Sequence, residues 1–243
     1  MGGGWAEQHY PQVYGPFVEE TVRRARSDFR DAARVGVIQL YDSATENGQD
    51  KFEQFSGIVS ELGACRAVPF LVPEGDHLPR AALGDVDGLL VAGGLTPAYL
   101  AAVAPVAEEI RRLVARGVPY LGFSAGAQIA ATKAVIGGWR WGEVAIGSED
   151  CAEDLDQLTT APGLGLVDFA VDVHAAQWGT LTRAVTAVSR GDVDRAVAID
   201  ESTVCIVDGD AVEVSGAGQA WWVTTTDDGV TVRTAHNRSH DLR

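Results

Sequence analysis

Val118-Pro-Tyr-Leu-Gly-Phe-Ser-Ala-Gly-Ala127 is apolar, then tight, then built from small residues. The run reads as a buried strand turning sharply into a helix, with Ser124 on the turn and Gly122 and Gly126 two residues away on either side. A serine held on such an elbow exposes its hydroxyl above the sheet, and the small neighbours let backbone pack close. The same residues also fit a plain glycine-bracketed turn whose serine caps the helix. The helix is read from Ser124 to about Ala134, so that its leading N–H groups face any negative charge developing at the turn.

Upstream of the elbow, strands and helices alternate. Pro16 is placed in the first turn of a helix opening at Gly15 and running to about Ala33. Strands are predicted at Val35–Leu40, Val68–Val72 and Asp87–Val91, and a helix over Phe52–Leu62 stops at Gly63. Thr96-Pro97 starts a helix that closes at Arg116-Gly117. This alternation implies right-handed crossovers and a parallel sheet covered on both faces. Beyond Gly137-Gly138 the pattern becomes strand-rich: Val167–Val173, Ala196–Ile199, Val204–Val207, Trp221–Thr225 and Val230–Thr234, with one helix over Thr180–Ser189. Asp208-Gly209 and Asp228-Gly229 mark hairpin turns. The expectation is a single α/β domain over 1–243, with a mostly parallel central sheet flanked by helices and a β-rich part from about 196.

The chain of 243 residues carries 46% hydrophobic residues, ample for a buried core. A formal net charge of -15 repels phosphate backbones and anionic lipid, so neither nucleic acid nor membrane is expected as a partner. No run is long and apolar enough to span a bilayer, and the N-terminus lacks the basic-then-apolar pattern of a signal peptide. Cys65, Cys151 and Cys205 form neither a disulfide framework nor a zinc pattern, which suits a reducing cytoplasm. No metal or organic cofactor is implied. A homodimer is compatible with these features and not required by them.

A nucleophilic serine needs a base, and the base an orienting acid. His9, His77, His236 and His240 lie in polar loops or the tail, whereas His174 ends the apolar strand Leu166-Val-Asp-Phe-Ala-Val-Asp-Val-His174. Strand ends at the loop edge of a parallel sheet are where catalytic groups gather, although a hydrogen-bonded structural histidine also fits there. Glu201, in the turn Asp200-Glu201-Ser202-Thr203, is the candidate acid; the turn also fits plain solvated acids. Asp172 shares a strand face with His174, and parallel side chains two apart are poorly set to grip one another. Gly93-Gly94 ends a central strand, and the N–H groups of Gly94 and Ala125 are the candidate oxyanion hole.

Taken in order, four segments resemble the dipeptidase E and cyanophycinase family of serine peptidases. Ala92-Gly93-Gly94-Leu95-Thr96 resembles its glycine-rich oxyanion loop, and Gly122-Phe-Ser-Ala-Gly-Ala127 its nucleophile elbow. Gly163 to His174 resembles its histidine strand, and Ala198-Ile-Asp-Glu-Ser-Thr203 its acidic segment. Gly2-Gly3-Gly4 resembles the turn after the family's first strand, which is then nearly absent here. The resemblance covers the chain to about residue 215. It implies the fold of class I glutamine amidotransferases, with serine in place of their cysteine, and a triad of Ser124, His174 and Glu201.

The departures bear on substrate. Leu95 stands where the family's loop usually carries a polar residue. Cyanophycinases look arginine-rich after the histidine, whereas His174-Ala-Ala-Gln-Trp-Gly-Thr-Leu-Thr-Arg183 keeps Gln177 and Arg183 and has Trp178 and Thr180 elsewhere. Tryptophan does not replace a guanidinium that grips a carboxylate, which argues against cyanophycin. Arg183 is the candidate anchor for one substrate carboxylate, Asp172 for a substrate amino group, and Gln177 a further substrate contact. The expectation is a cytoplasmic serine peptidase or amidohydrolase acting on a small peptide such as an aspartyl dipeptide. Two alternatives stay open: a non-catalytic binding protein on the same fold, and an α/β-hydrolase esterase using Ser124, Asp208 and His236.

Overall fold

The computed structural model describes residues 1–43, 48–79 and 83–236. The chain groups into two compact units, Tyr14–Gly126 and a second made of Met1–Val13 with Ala127–Arg243.

The elements up to the elbow are α1 (Tyr10–Ser27), β1 (Ala33–Tyr41), α2 (Gln49–Leu62), β2 (Cys65–Pro73), β3 (Gly88–Val91), α3 (Thr96–Val103), α4 (Ala107–Ala115), β4 (Tyr120–Gly122) and α5 (Ala125–Gln128). The strands form one parallel sheet in the order β2-β1-β3-β4. Leu89, Leu90 and Val91 are fully buried, as are Val35, Val37 and Ile38. Burial on both faces is why these strands read as unbroken apolar runs rather than alternating ones.

Several helix boundaries differ from the sequence expectation. The 3-10 turn Glu7–His9 leads straight into α1, so Pro16 lies inside the helix rather than at its start. The helix stops before Ala33 because Phe29 adopts a left-handed φ of 58° and the Arg30 N–H closes on the Ala25 carbonyl at 2.9 Å. The long helix expected over Thr96–Arg116 is broken into α3 and α4 by a 3-10 turn at Ala104–Val106. Pro105, at the centre of that turn, has no N–H to continue an α-helical ladder. Gly63 does end α2, but in extended backbone (φ -170°). Space is the reason for the glycine: a Cβ there would lie 2.6 Å from Val18 Cγ1.

The second unit follows with β5 (Lys133–Gly137), β6 (Arg140–Trp141), β7 (Val144–Ala145), β8 (Thr159–Pro162), β9 (Ala170–Val173), α6 (Leu181–Ser189), β10 (Arg195–Ile199), β11 (Thr203–Asp208), β12 (Ala211–Gly216), β13 (Gln219–Thr226) and β14 (Gly229–His236). A four-stranded sheet runs β14-β13-β10-β9; β9 and β10 are parallel and the remaining pairs antiparallel. Ala184, Ala187 and Val188 of α6 pack with Ala170, Ala196 and Ala198 of the sheet, where small residues bring helix and sheet close. The strand-rich C-terminal part is therefore present.

One reading near the elbow is corrected. The helix expected from Ser124 to about Ala134 is the single turn α5, and Lys133–Gly137 is strand β5, paired antiparallel with β8. The β-branched pair Val135-Ile136 favours a strand there. Among the described residues no helix is long and apolar enough to cross a membrane.

Candidate active site

The elbow is fixed by backbone bonds. Phe123 N–H donates to the Val91 carbonyl at 2.8 Å, and Gly126 N–H to those of Ala92 and Phe123, each at 3.0 Å. Ser124 between them is held at φ 51° and is 9% exposed. That left-handed conformation is unfavourable for a residue with a Cβ, and it persists where the surroundings enforce it. Gly126 has no substitute, since a Cβ would sit 2.1 Å from the Val91 carbonyl oxygen.

The glycine loop after β3 lies beside the serine. A Cβ on Gly93 would come within 2.9 Å of Ser124 Cβ, whereas one on Gly94 would face the Tyr99 ring at 3.1 Å. Tyr99 Oη donates to the Gly93 carbonyl at 3.2 Å and accepts from Leu40 N–H at 3.1 Å, tying the loop to β1. Sequence reading missed Tyr99; its only mark was a tyrosine in an otherwise small-residue helix. Ala125 opens α5 and is fully buried. With a helix of one turn, any anion at the elbow meets individual N–H groups rather than an aligned macrodipole.

His174 and Glu201 are brought together. His174 directly follows β9 at φ 57°, and its Nδ1 lies 2.7 Å from Glu201 Oε1. Burial pushes the imidazole pKa down, and the Glu201 hydrogen bond and charge only partly oppose that. Asp200 fixes the turn carrying the glutamate: its Oδ1 accepts from Ala176 N–H and Trp221 Nε1–H, both at 3.0 Å, and its Oδ2 from Gln219 N–H at 2.9 Å. The two adjacent acids thus differ in role, one anchoring the turn and the other facing the imidazole. Gln177 supports the same turn, its Oε1 accepting from Glu201 N–H at 2.9 Å.

The N-terminal glycines thread between these groups. Gly2 N–H donates to the Thr203 carbonyl at 3.0 Å, His174 N–H to that of Gly2 at 3.1 Å, and Ser202 N–H to that of Gly3 at 2.8 Å. Gly3 has φ 92°, and a Cβ on it would lie 2.3 Å from His174 Cε1. Gly3→Ala is expected to displace the imidazole and lower kcat by about 10²-fold, with far-UV circular dichroism unchanged. A wild-type kcat would show that the ring does not depend on this contact.

Two of the candidate substrate contacts are paired with one another. Arg183 Nε and Nη2 donate to Asp172 Oδ2 and Oδ1 at 2.8 and 2.6 Å. Arg183 Nη1 donates to the Cys151 carbonyl at 2.5 Å. Asp172 is 0% and Arg183 1% exposed. Burial alone would lower the guanidinium pKa, but the charge and hydrogen bonds of Asp172 outweigh it and raise it. The two groups satisfy one another inside the protein, whereas the sequence alone suggested that they hold a substrate's carboxylate and amine. Gln177 likewise serves the turn of Glu201. As for the alternative esterase set, Asp208 and His236 sit exposed at the ends of β11 and β14. His77 is exposed and His9 half-buried; His240 lies outside the described residues.

A comparison with curated protein sequences finds no match. Among solved structures, a crystal structure of a candidate peptidase E protein from Listeria monocytogenes EGD-e matches with a TM-score of 0.53 and 18% identity, over 85% of this chain and 96% of that one. At that identity the likeness speaks for the fold alone. The model of peptidase family S51 matches residues 41–215, which span the glycine loop, the Ser124 elbow, His174 and Glu201. On that match over most of its length the chain belongs to peptidase family S51, and it is a serine peptidase.

Proposed function

We propose that the chain cleaves small peptides through Ser124, His174 and Glu201. Ser124 Oγ attacks the peptide carbonyl and passes its proton to His174 Nε2. The C–N bond then breaks as the imidazolium returns that proton to the leaving amine, and water repeats the cycle on the acyl-enzyme. Glu201 on Nδ1 fixes the ring's tautomer and stabilises its cationic form. The N–H groups of Gly94 and Ala125 receive the oxyanion. The observation that carries the reading is the 2.7 Å contact between His174 Nδ1 and Glu201 Oε1, in a chain whose Ser124 sits strained on a strand-to-helix elbow. A peptide of two or three residues is the substrate class proposed, in a cytoplasmic setting. With Arg183 paired to Asp172, an aspartyl side chain has no counter-cation there.

A fluorophosphonate should label Ser124, and the pH dependence of labelling tests the base. His174 accepts a proton only when neutral, and its pKa is pushed below the usual value of about 6.5. The rate should therefore rise with pH through a midpoint below that value and stay flat towards pH 8. Glu201→Gln removes the largest influences that raise the pKa, leaving only the Asp172 charge, so the midpoint should move further to acid while the plateau falls roughly 10²–10⁴-fold. A midpoint above 7, or an unchanged plateau in the variant, would remove Glu201 and His174 from the mechanism. Absence of label at Ser124 would favour the binding-protein alternative.

A further inference from the structure

Trp178 lies flat on His174, with ring centroids 4.0 Å apart and planes 10° from parallel. The turn after β9 causes this. Trp178 N–H closes on the His174 carbonyl at 2.8 Å, bringing the side chain four residues on back over the imidazole. Gly179, at φ 74°, then releases the chain towards α6. Trp178 covers one face of the imidazole, Glu201 takes Nδ1 and Gly3 borders Cε1. Yet 45% of the tryptophan stays exposed beside a histidine that is itself buried. Propping a ring would not need so large a wetted aromatic surface.

The chemistry says what meets that surface. An imidazole that returns its proton to the leaving amine must come within about 2.6–3.2 Å of that nitrogen. The residue leaving with the amine therefore passes beside whatever borders the imidazole. From the proposed serine-peptidase reading, on which this step rests, we infer that the exposed part of Trp178 is the subsite for the leaving-group residue and selects aromatic or aliphatic side chains there. An apolar side chain loses water against the indole, and an aromatic one also stacks. An acidic side chain meets the Glu201 carboxylate, 30% exposed and 2.7 Å from the same imidazole. Arg183, whose charge reaches His174, is buried and paired with Asp172 and so does not offset that repulsion.

The test is a panel of dipeptides with Asp or Ala as the acyl residue and Phe, Leu, Gly or Glu as the leaving residue. It is run on the full chain and on Trp178→Ala and Trp178→Phe. Wild type should favour Phe over Glu by about tenfold or more in kcat/KM whichever acyl residue is used. Trp178→Ala should compress that ratio to about threefold or less, mainly by raising KM for Phe and Leu, and Trp178→Phe should keep most of it. A uniform fall in kcat with the ratio intact would mean that Trp178 only steadies the imidazole, and would overturn the subsite. A wild-type enzyme indifferent to the leaving residue overturns it without reference to any variant. No turnover of any panel member, by a protein whose Ser124 still takes the fluorophosphonate, also overturns the subsite and leaves the hydrolase standing. Loss of that label would instead sink the reading beneath it.

Discussion

Ser124→Ala is expected to lower kcat on a cleaved dipeptide by roughly 10⁴–10⁶-fold, with His174→Ala close behind and the double variant little worse than either. In the proposed triad the three groups act on one proton and one bond, so removing the second partner costs little once the first is gone. The structure makes this a chemical test rather than a folding test. Alanine keeps the Cβ that lies against Gly93, and the bonds from Phe123 and Gly126 that hold the elbow are made by backbone. Melting temperature should therefore stay near wild type while turnover disappears. Losses that multiply in the double variant, or a Ser124→Ala protein within tenfold of wild type, would contradict the triad.

Arg183→Ala is expected to act on stability before specificity. It leaves the Asp172 carboxylate, 0% exposed, without its bidentate partner, and frees the Cys151 carbonyl as well. Breaking a buried pair by removing one member typically costs roughly 3–5 kcal/mol. For a chain of this size that is a fall in Tm of about 6–20 °C. Replacing both partners by apolar residues, as in Asp172→Leu with Arg183→Met, should recover most of the loss, because no charge is then stranded. An Arg183→Ala protein that melts within about 2 °C of wild type but loses preference for acidic dipeptides would restore the arginine as a substrate anchor.

The fold was legible where a short run of residues carries its own signal. The apolar run Asp87–Val91 marked β3, the glycine-bracketed serine marked the elbow, and Asp-Gly pairs marked hairpins within a residue or so. Reading failed where a distant or neighbouring feature overrode the periodic pattern. Pro105 broke one expected helix into two, and pairing of Lys133–Gly137 with Thr159–Pro162 ended another after one turn. The site divides the same way. His174 and Glu201 were reachable from strand-end positions and from the family resemblance. The partnership of Asp172 with Arg183 was not, since one lies on a strand and the other on a helix, and nothing in their spacing says that each is the other's counter-ion. Gln177 is a similar case: its identity suggested a ligand contact, and its carbonyl oxygen is occupied by the backbone of Glu201. The stacking of Trp178 on His174 left a trace only as a departure from the family pattern.

The weaving of Gly2 and Gly3 among residues 174, 202 and 203 bears on how the protein is made. Tyr14–Gly126 is one continuous stretch, and every residue of it leaves the ribosome before residue 127. It can therefore settle during synthesis, at about 5–20 residues per second. The opening glycines cannot do the same, because their partners His174, Ser202 and Thr203 are made long after them. They must wait, unpaired, until Thr203 emerges. The imidazole–carboxylate pair is thus among the last features to be set, and a nascent or prematurely ended chain carries the elbow serine without a fully seated base.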